Sequence, residues 1–580
     1  MNRARRTAIP GPPWDYLIVT ASNDRQAGAY RSELHVRERL GRLPQARRVL
    51  VVADPGGLRV GSGGSTIASL MRVLEIELKG KPLGDPRAAR RTGEGQGRLA
   101  QVIRGTLDRL RILIIHAGGD SKRLPAYGPA GKIFVPVPEA RRRSAAKAGG
   151  GEPRRTGRPP VTIFDRLAPI YLDLPAPASR KGHVVITTGD VLLFFDPRRA
   201  AFAGSGITAL GCRVPPETAR NHGVFIPDEG GVIRRYLQKT SPAAQEAAGA
   251  VGPDGRAILD LGVMSFDAEA AARLLELAAV AEARGQGGRR LEWRGPIARA
   301  VERWGFDVFR ELACALGKDT DFKAYAEAAR AAGSLWDDSR LRRTYRHLHG
   351  LDFSLSLLPR CRFLHFGTSR ELIRSGNALR RRDGTAKPGD SVVSLDNVFY
   401  GGARPGRGGI AGRESWVESC RIGAKLTLGG RNVVVGLEIA APLALPRGAA
   451  VDVLKGADRA GRPVWFARFY GVDDAFHKPA SRGARLAGRP LHEWLAAMDA
   501  RPEDVWDARL RPGERQVWNG RFFPATARPA GYRRWLWMLE PRKATDGQKR
   551  AWRAADRYSF AETAARADQA AFHVRRRLRT

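Results

Sequence analysis

Five short runs in the first half of the chain are apolar without interruption: YLIVTAS (16–22), RVLVVAD (48–54), ILIIHAG (112–118), HVVITTGDV (183–191) and ITALGCRV (207–214). None alternates with polar residues, so each suits a strand of a mainly parallel sheet buried on both faces. The stretch STIASLMRVLEIEL (65–78) has helical spacing and fits a right-handed crossover between two such strands. The pattern predicts an open α/β, Rossmann-like sheet with its ligand cleft outside the carboxyl ends of the strands. From residue 361 to about 455 the texture changes. In SWVESCRIGAKLTLGGRNVVVGLEI (415–439), Val417, Ile422, Leu428 and Val434 recur at spacings of 5, 6 and 6, with glycines between them. That rhythm predicts the hexapeptide coils of a left-handed parallel β-helix, with an irregular β-meander as the alternative. Beyond residue 470 the chain is rich in Trp and Pro, with pieces such as LHEWLAAMDA (491–500) that read as helix.

The 580 residues exceed what one compact core holds, and 43% of them are hydrophobic, so two or three folded units are expected. The stretch 139–160, EARRRSAAKAGGGEPRRTGRPP, is basic, Gly/Pro-rich and nearly free of apolar residues, and reads as a mobile loop. A shorter one is EARGQGGRR (282–290). No apolar run reaches the roughly 20 residues of a membrane span, and MNRARRTAIPGPPWDY lacks the apolar core of a signal peptide, so a cytoplasmic protein is expected. Cys212, Cys314, Cys361 and Cys420 lie far apart, without the spacing of a disulfide framework or a zinc site.

Charge adds one possibility. Lysines and arginines number 99 against 59 acidic residues, a formal net charge of +40. A nucleic-acid partner would exploit such a field. The excess is spread along the whole chain, and no helix-turn-helix, zinc-finger or base-stacking pattern accompanies it. Nucleic acid is therefore the partner of a second-choice reading, a nucleic-acid-binding β-helix protein, while a positive field would equally attract nucleotides and sugar phosphates.

The strongest chemical signal is ILIIHAGGDSKRLPAYGPAGKIFVPVP (112–138). A strand runs into Gly118-Gly119, Arg123 follows, and Lys132 lies nine residues further on. Glycines at a strand end let backbone N–H groups approach a phosphate that a Cβ would hold away. Arg123 can grip phosphate oxygens bidentately, and Lys132 supplies a compact charge for the reaction centre. The spacing fits neither a Walker A loop nor a dinucleotide-binding fingerprint. Asp190 ends the apolar strand HVVITTGD and can offer Mg²⁺ a hard oxygen ligand from the cleft side, or simply close a turn. His116 and His365 read as packing histidines.

The string HAGGDSKRLPAYGPAGKIFVPVP resembles the signature loop of the GDP-fucose pyrophosphorylase (fucose-1-phosphate guanylyltransferase) family, including the pyrophosphorylase half of bifunctional fucokinase/pyrophosphorylases. WDYLIVTASNDRQAGAY (14–30), ADPGGLRVGSGGST (53–66), TTGDVLL (187–193), FLHFGTSRELI (363–373) and VWNGRFFP (517–524) agree with it in order. The resemblance implies a nucleotidyltransferase domain over 1–350, the β-helix over 351–470 and a helical region over 471–580. It implies that GMP passes from GTP to fucose 1-phosphate, or that the same reaction runs on another sugar 1-phosphate or another nucleoside triphosphate.

The resemblance also assigns residues. Gly61, Gly63, Gly64 and Ser65, in the loop that opens the 65–78 helix, either join Gly118 and Gly119 in holding the nucleotide or form a tight connection with Ser65 or Thr66 as helix N-cap. Asp260, with Asp267 close by as a rival, supplies a second metal carboxylate. Gly223 and Lys239 in HGVFIPDEGGVIRRYLQK (222–239) face the sugar and its phosphate. A homo-oligomer through the β-helix is compatible with it. No sugar-kinase ATP loop is visible after the matching region, so a separate kinase is expected to supply the sugar phosphate.

Overall fold

The computed structural model describes residues 13–79, 94–119, 121–139, 160–177, 182–283, 289–404, 409–568 and 571. The 139–160 loop falls almost wholly outside the described residues, as do residues 284–288 of the shorter one.

The first strands and helices in chain order are β1 (Tyr16–Ala21), α1 (Asp24–Arg39), β2 (Arg48–Ala53), α2 (Gly61–Glu77), α3 (Glu94–Leu107), β3 (Arg111–His116), α4 (Ile163–Leu172), β4 (His183–Thr188), β5 (Val191–Phe194) and β6 (Ile207–Val214). They are followed by β7 (Gly223–Pro227), β8 (Ile233–Gln238), β9 (Ala257–Phe266), α5 (Ala268–Ala278), the hairpin strands β10 (Val280–Ala283) and β11 (Arg289–Glu292), then β12 (Phe353–Leu358), β13 (Arg362–His365) and α6 (Ser369–Arg382). The large sheet has the order β12-β6-β9-β4-β3-β1-β2, with β7 and β8 attached beside β9. β2, β1, β3 and β4 are parallel neighbours, as are β6 and β12, while β9 runs antiparallel between β4 and β6. This is a mixed α/β fold with a mainly parallel sheet. Because β12 forms its edge, the sheet runs on past residue 350, the boundary expected from the sequence.

The unbroken apolar runs have a plain physical cause. Leu17, Val19, Leu113, Ile115 and Val185 pack on one face of the sheet, while Tyr16, Ile18, Ile112, Ile114 and Ile186 pack on the other. Side chains alternate between faces along a strand, so a strand covered on both sides is apolar throughout.

Residues 392–457 form three ladders of short parallel strands. β14 (Val392–Leu395), β17 (Ser415–Glu418), β20 (Val433–Val435) and β23 (Ala449–Ala457) make one ladder. β15 (Val398–Phe399), β18 (Arg421–Ile422) and β21 (Glu438–Ile439) make the second, and β16 (Ile410–Ala411), β19 (Leu426–Leu428) and β22 (Leu443–Leu445) the third. Trp416 lies beside Val433 and Val433 beside Ala450, so these turns take 17 residues each. Val417, Ile422, Leu428 and Val434 fall in successive ladders, and all four are buried.

After β23 the chain reverses into β24 (Pro463–Gly471), which pairs antiparallel with it. The region from 471 onward is less helical than its sequence suggests. Among the described residues its α-helices, Leu491–Ala497, Asp546–Ala554 and Phe560–Arg566, are short, Pro529–Leu539 winds as a tighter 3-10 helix, and the strands Phe523–Thr526 and Arg557–Tyr558 extend the β23–β24 sheet. Trp494, Trp518, Trp535 and Trp552 are buried there, so tryptophan packing rather than helical length organises it. One apolar cluster runs without a break from the β1–β3–β4 face of the sheet through the coils to Phe560.

Candidate functional site

The loop after β3 is shaped by two glycines with left-handed backbone. Gly119 has φ 104° and Gly131 has φ 71°. A Cβ on Gly131 would lie 1.8 Å from the Tyr30 hydroxyl, which donates to the Ala117 carbonyl at 2.8 Å. Glycine is therefore required immediately before Lys132. Gly118 passes against the end of β1, where an added Cβ would lie 3.4 Å from the Ser22 nitrogen.

Distant segments pin this loop. The Trp416 indole donates to the Tyr127 hydroxyl at 2.9 Å, and Tyr127 donates to Glu418 Oε2 at 3.1 Å. Arg468 donates to the Pro125 carbonyl at 3.1 Å and to Asp452 at 2.6 Å, and Asp452 also accepts from Tyr470. The Ser369 amide at the start of α6 donates to the Arg123 carbonyl at 3.2 Å. The coils and their antiparallel extension thus form one wall of the loop that carries Arg123 and Lys132.

At the carboxyl end of β4, Asp190 Oδ2 receives Lys132 Nζ at 2.9 Å. Burial would raise the Asp190 carboxyl, but the charges of Lys132, His365 and Arg123 outweigh it and hold the group at about 2. Asp190 is thus ionised at neutral pH. Arg123, Asp190, Gly223, Lys239 and Asp260 line one cavity of about 340 Å³. Lys132 reaches its edge through the ion pair with Asp190, while Arg123, the other catalytic cation expected from the sequence, lines the cavity itself.

Gly223 and Asp260 are linked by a contact that sequence does not reveal. A Cβ on Gly223 would sit 1.9 Å from the Tyr236 hydroxyl, and that hydroxyl donates to Asp260 Oδ2 at 2.9 Å. The missing side chain of Gly223 makes room for Tyr236 at the cavity wall. Asp260 Oδ1 accepts from the Gly262 amide at 2.7 Å. Burial pushes the Asp260 carboxyl up to about 6 against these two hydrogen bonds. Asp267, the rival, caps α5 by accepting from Ala270 and takes the Gly206 amide with its other oxygen. Lys239 sits in the left-handed region at φ 54°, a conformation a non-glycine residue holds only under constraint.

The second glycine segment plays a different part from the one expected. Gly61, Gly63, Gly64 and Ser65 lie inside the first turn of α2, packed against residues 301–306. The Gly63 and Gly64 amides donate to the Phe306 carbonyl at 2.8 and 3.3 Å, and a Cβ on Gly63 would meet the Phe306 ring at 2.4 Å. Ser65 Oγ donates to Asp54 Oδ1. These residues hold α2 onto Phe306, so the Gly63 and Gly64 amides are not available to a phosphate. The segment contributes Arg59 instead. Burial and the neighbouring Arg59 charge lower Lys122 to about 8, which sets Arg59 beside the signature loop. The charges of Arg123, Lys478 and Lys122 likewise depress His477, after burial.

His116 is a packing histidine, with Nε2 3.1 Å from Thr66 Oγ1 and burial pushing it down to about 4. His365 is not. It lines the cavity next to Asp190, because β13 pairs with β5 and sets His365 opposite Val191. His222 and Asp307 also line the cavity and went unread in the sequence. Asp307 caps residues 308–312, accepting from Phe309 and Arg310, while its second oxygen takes Ser62 Oγ at 3.2 Å. The signal was the WGFD turn (304–307), where Gly305 at φ 76° lets the chain bring Phe306 and Asp307 against α2.

Residues 104–528 match the fucose pyrophosphorylase domain model. The chain belongs to the fucose pyrophosphorylase family. Within it, the chain is 28% identical to a bifunctional fucokinase/GDP-fucose pyrophosphorylase from Arabidopsis thaliana, over 46% of this chain and 24% of that one. It is 24% identical to an L-fucokinase/L-fucose-1-P guanylyltransferase from Bacteroides fragilis, over 77% of this chain and 40% of the relative. A mouse fucose-1-phosphate guanylyltransferase matches at 28% over 37% of this chain and 30% of its own. Each match covers less than half of the relative's length. No helix among the described residues is long and apolar enough to cross a membrane.

Proposed function

We propose that this fucose pyrophosphorylase family member transfers GMP from GTP to fucose 1-phosphate, releasing pyrophosphate. The observation that carries the reading is the Lys132–Asp190 ion pair beside a cavity lined by Asp190, Arg123, Lys239 and Asp260. A phosphate oxygen of the sugar 1-phosphate attacks the α-phosphorus of GTP. The new P–O bond forms as the bond between the α- and β-phosphates breaks, and pyrophosphate leaves with the electron pair. The attacking group is already an anion, so no protein nucleophile is needed, and the protein's work is positioning and charge neutralisation. Arg123 and Lys132 offset charge on the triphosphate and the leaving pyrophosphate, and Lys122 and Arg59 add to that field. Lys239 faces the sugar phosphate.

The donor set suits Mg²⁺. Asp190 and Asp260 line one cavity as hard oxygen donors, and Mg²⁺ is commonly held by one or two carboxylates together with substrate phosphates. Asp190 and Asp260 would hold it, and when bound it would supply positive charge to the α-phosphate. The three parallel ladders support reading 392–457 as the left-handed β-helix, serving here as the wall behind the phosphate loop.

A pyrophosphate-release assay crossing four nucleoside triphosphates with a panel of sugar 1-phosphates and Mg²⁺ tests the assignment. Release specific to GTP and fucose 1-phosphate is expected. Selective release with a different pair would reassign the substrate, and none with any pair would end the reading.

A further inference from the structure

The 340 Å³ cavity and a neighbouring groove of about 980 Å³, which runs between α6 and the coils, share three residues: His222, Phe363 and His365. These rings form the partition between the two spaces. His222 and His365 lie 5.1 Å apart between centroids, and Phe363 packs edge-on against both, at 5.5 and 5.9 Å. Each histidine is anchored through its backbone. His365 is fixed by the β5–β13 ladder, with the next amide, Phe366, donating to the Asp190 carbonyl at 3.0 Å. His222 accepts the Lys239 amide at 2.9 Å, where Lys239 holds its left-handed turn. Neither imidazole makes a hydrogen bond within the described residues, although most buried or half-buried polar groups find one. Two oriented rings with unused nitrogens therefore line the cavity that also holds the carboxylate of Asp190 and the cation of Lys239.

We infer that His222 and His365 are ligands for the phosphate of the sugar 1-phosphate, donating ring N–H groups to its oxygens while Lys239 offsets its charge. The inference rests on the transferase reading and deepens it. The signature-loop cations, Lys132 paired with Asp190 and Arg123 in the cavity wall, are assigned to the triphosphate, which leaves Lys239 and the two rings for the attacking phosphate. Phe363 keeps both rings from turning away.

Full-length protein is titrated calorimetrically with fucose 1-phosphate and with inorganic phosphate, and steady-state constants are measured for both substrates. His222→Gln and His365→Gln are each expected to raise KM for fucose 1-phosphate on the order of tenfold, the effect of one hydrogen bond to a charged group, with KM for GTP unchanged. Binding of fucose 1-phosphate and inorganic phosphate should weaken in parallel. In wild-type protein labelled at histidine nitrogens, phosphate should shift the ring signals of His222 and His365, a readout independent of how the variants fold. Ring signals that stay still, or variants that bind phosphate as wild type does, would overturn the inference. Wild-type protein that releases no pyrophosphate yet binds phosphate through these histidines would sink the transferase reading and leave the phosphate ligands standing.

Discussion

The Tyr127 hydroxyl stands between Trp416 and Glu418, accepting from the indole at 2.9 Å and donating to the carboxylate at 3.1 Å, with all three side chains buried. A residue of the phosphate loop is thereby tied to a coil nearly three hundred positions away. Tyr127→Phe leaves the Trp416 donor and a Glu418 oxygen without this partner inside the protein. The expected loss is about 1–3 kcal/mol, read by urea unfolding. Turnover should fall as well, because Arg123 and Lys132 flank Tyr127 on the same loop. A variant as stable and as active as wild type would show that the tie is incidental.

Lys132 and Asp190 form the ion pair at the centre of the proposed reaction. Lys132→Ala and Asp190→Asn should each cut kcat by roughly 10²–10³, the usual cost of removing one preorganised charged partner. Circular dichroism should stay as in wild type. Chelation with EDTA should abolish activity, and added Mg²⁺ should restore it.

Gly223→Ala places a methyl where the Tyr236 hydroxyl lies. Overpacking of this kind costs about 1–3 kcal/mol, and here it also strips Asp260 of a donor. The thermal midpoint and activity should fall together. Tyr236→Phe in the same chain removes the clashing oxygen and should recover part of the stability without restoring activity.

His183 supplies a pH signature. Its Nδ1 lies 3.0 Å from Ser265 Oγ, and its Nε2 accepts from Arg111 at 3.3 Å. Burial, then the Arg111 charge, push it from 6.5 down to about 3, so the folded protein holds it neutral. A group whose folded value lies below its unfolded one contributes stability that is fully present above pH 6.5. That stability is lost as pH falls from 6.5 toward 3, and it is worth a few kcal/mol, on the order of 1.4 per unit. Urea midpoints at pH 7 and pH 5 should show wild type losing more stability than His183→Gln. Equal losses would reject the linkage.

Much of this was legible because local chemistry and global fold agree. The strands of the sheet announced themselves through unbroken apolar runs, and Gly119 through a turn at the end of one of them. The four coil residues from Val417 to Val434 showed their repeat. What failed to show was decided by partners far along the chain. Gly61, Gly63 and Gly64 resemble a phosphate loop, but Gly61 and Gly63 leave room for Phe306 and Gly64 for Val60 and Val301. Gly223 resembles a sugar contact, but Tyr236 fills its space. His365 looked like packing because nothing local reveals that β13 lays it beside Asp190. Short periodic segments carry information about their own geometry. They carry none about which remote side chain occupies the space a glycine leaves.

The reach of Arg468 has a consequence for how the protein is made. Its guanidinium joins Pro125 of the phosphate loop to Asp452, and donates to Thr563 near the far end of the chain. On the ribosome, the loop is translated more than four hundred residues before Thr563 appears. The emerging chain can form its sheet early, but the surroundings that fix Arg123 and Lys132 are completed only after Thr563 has been made.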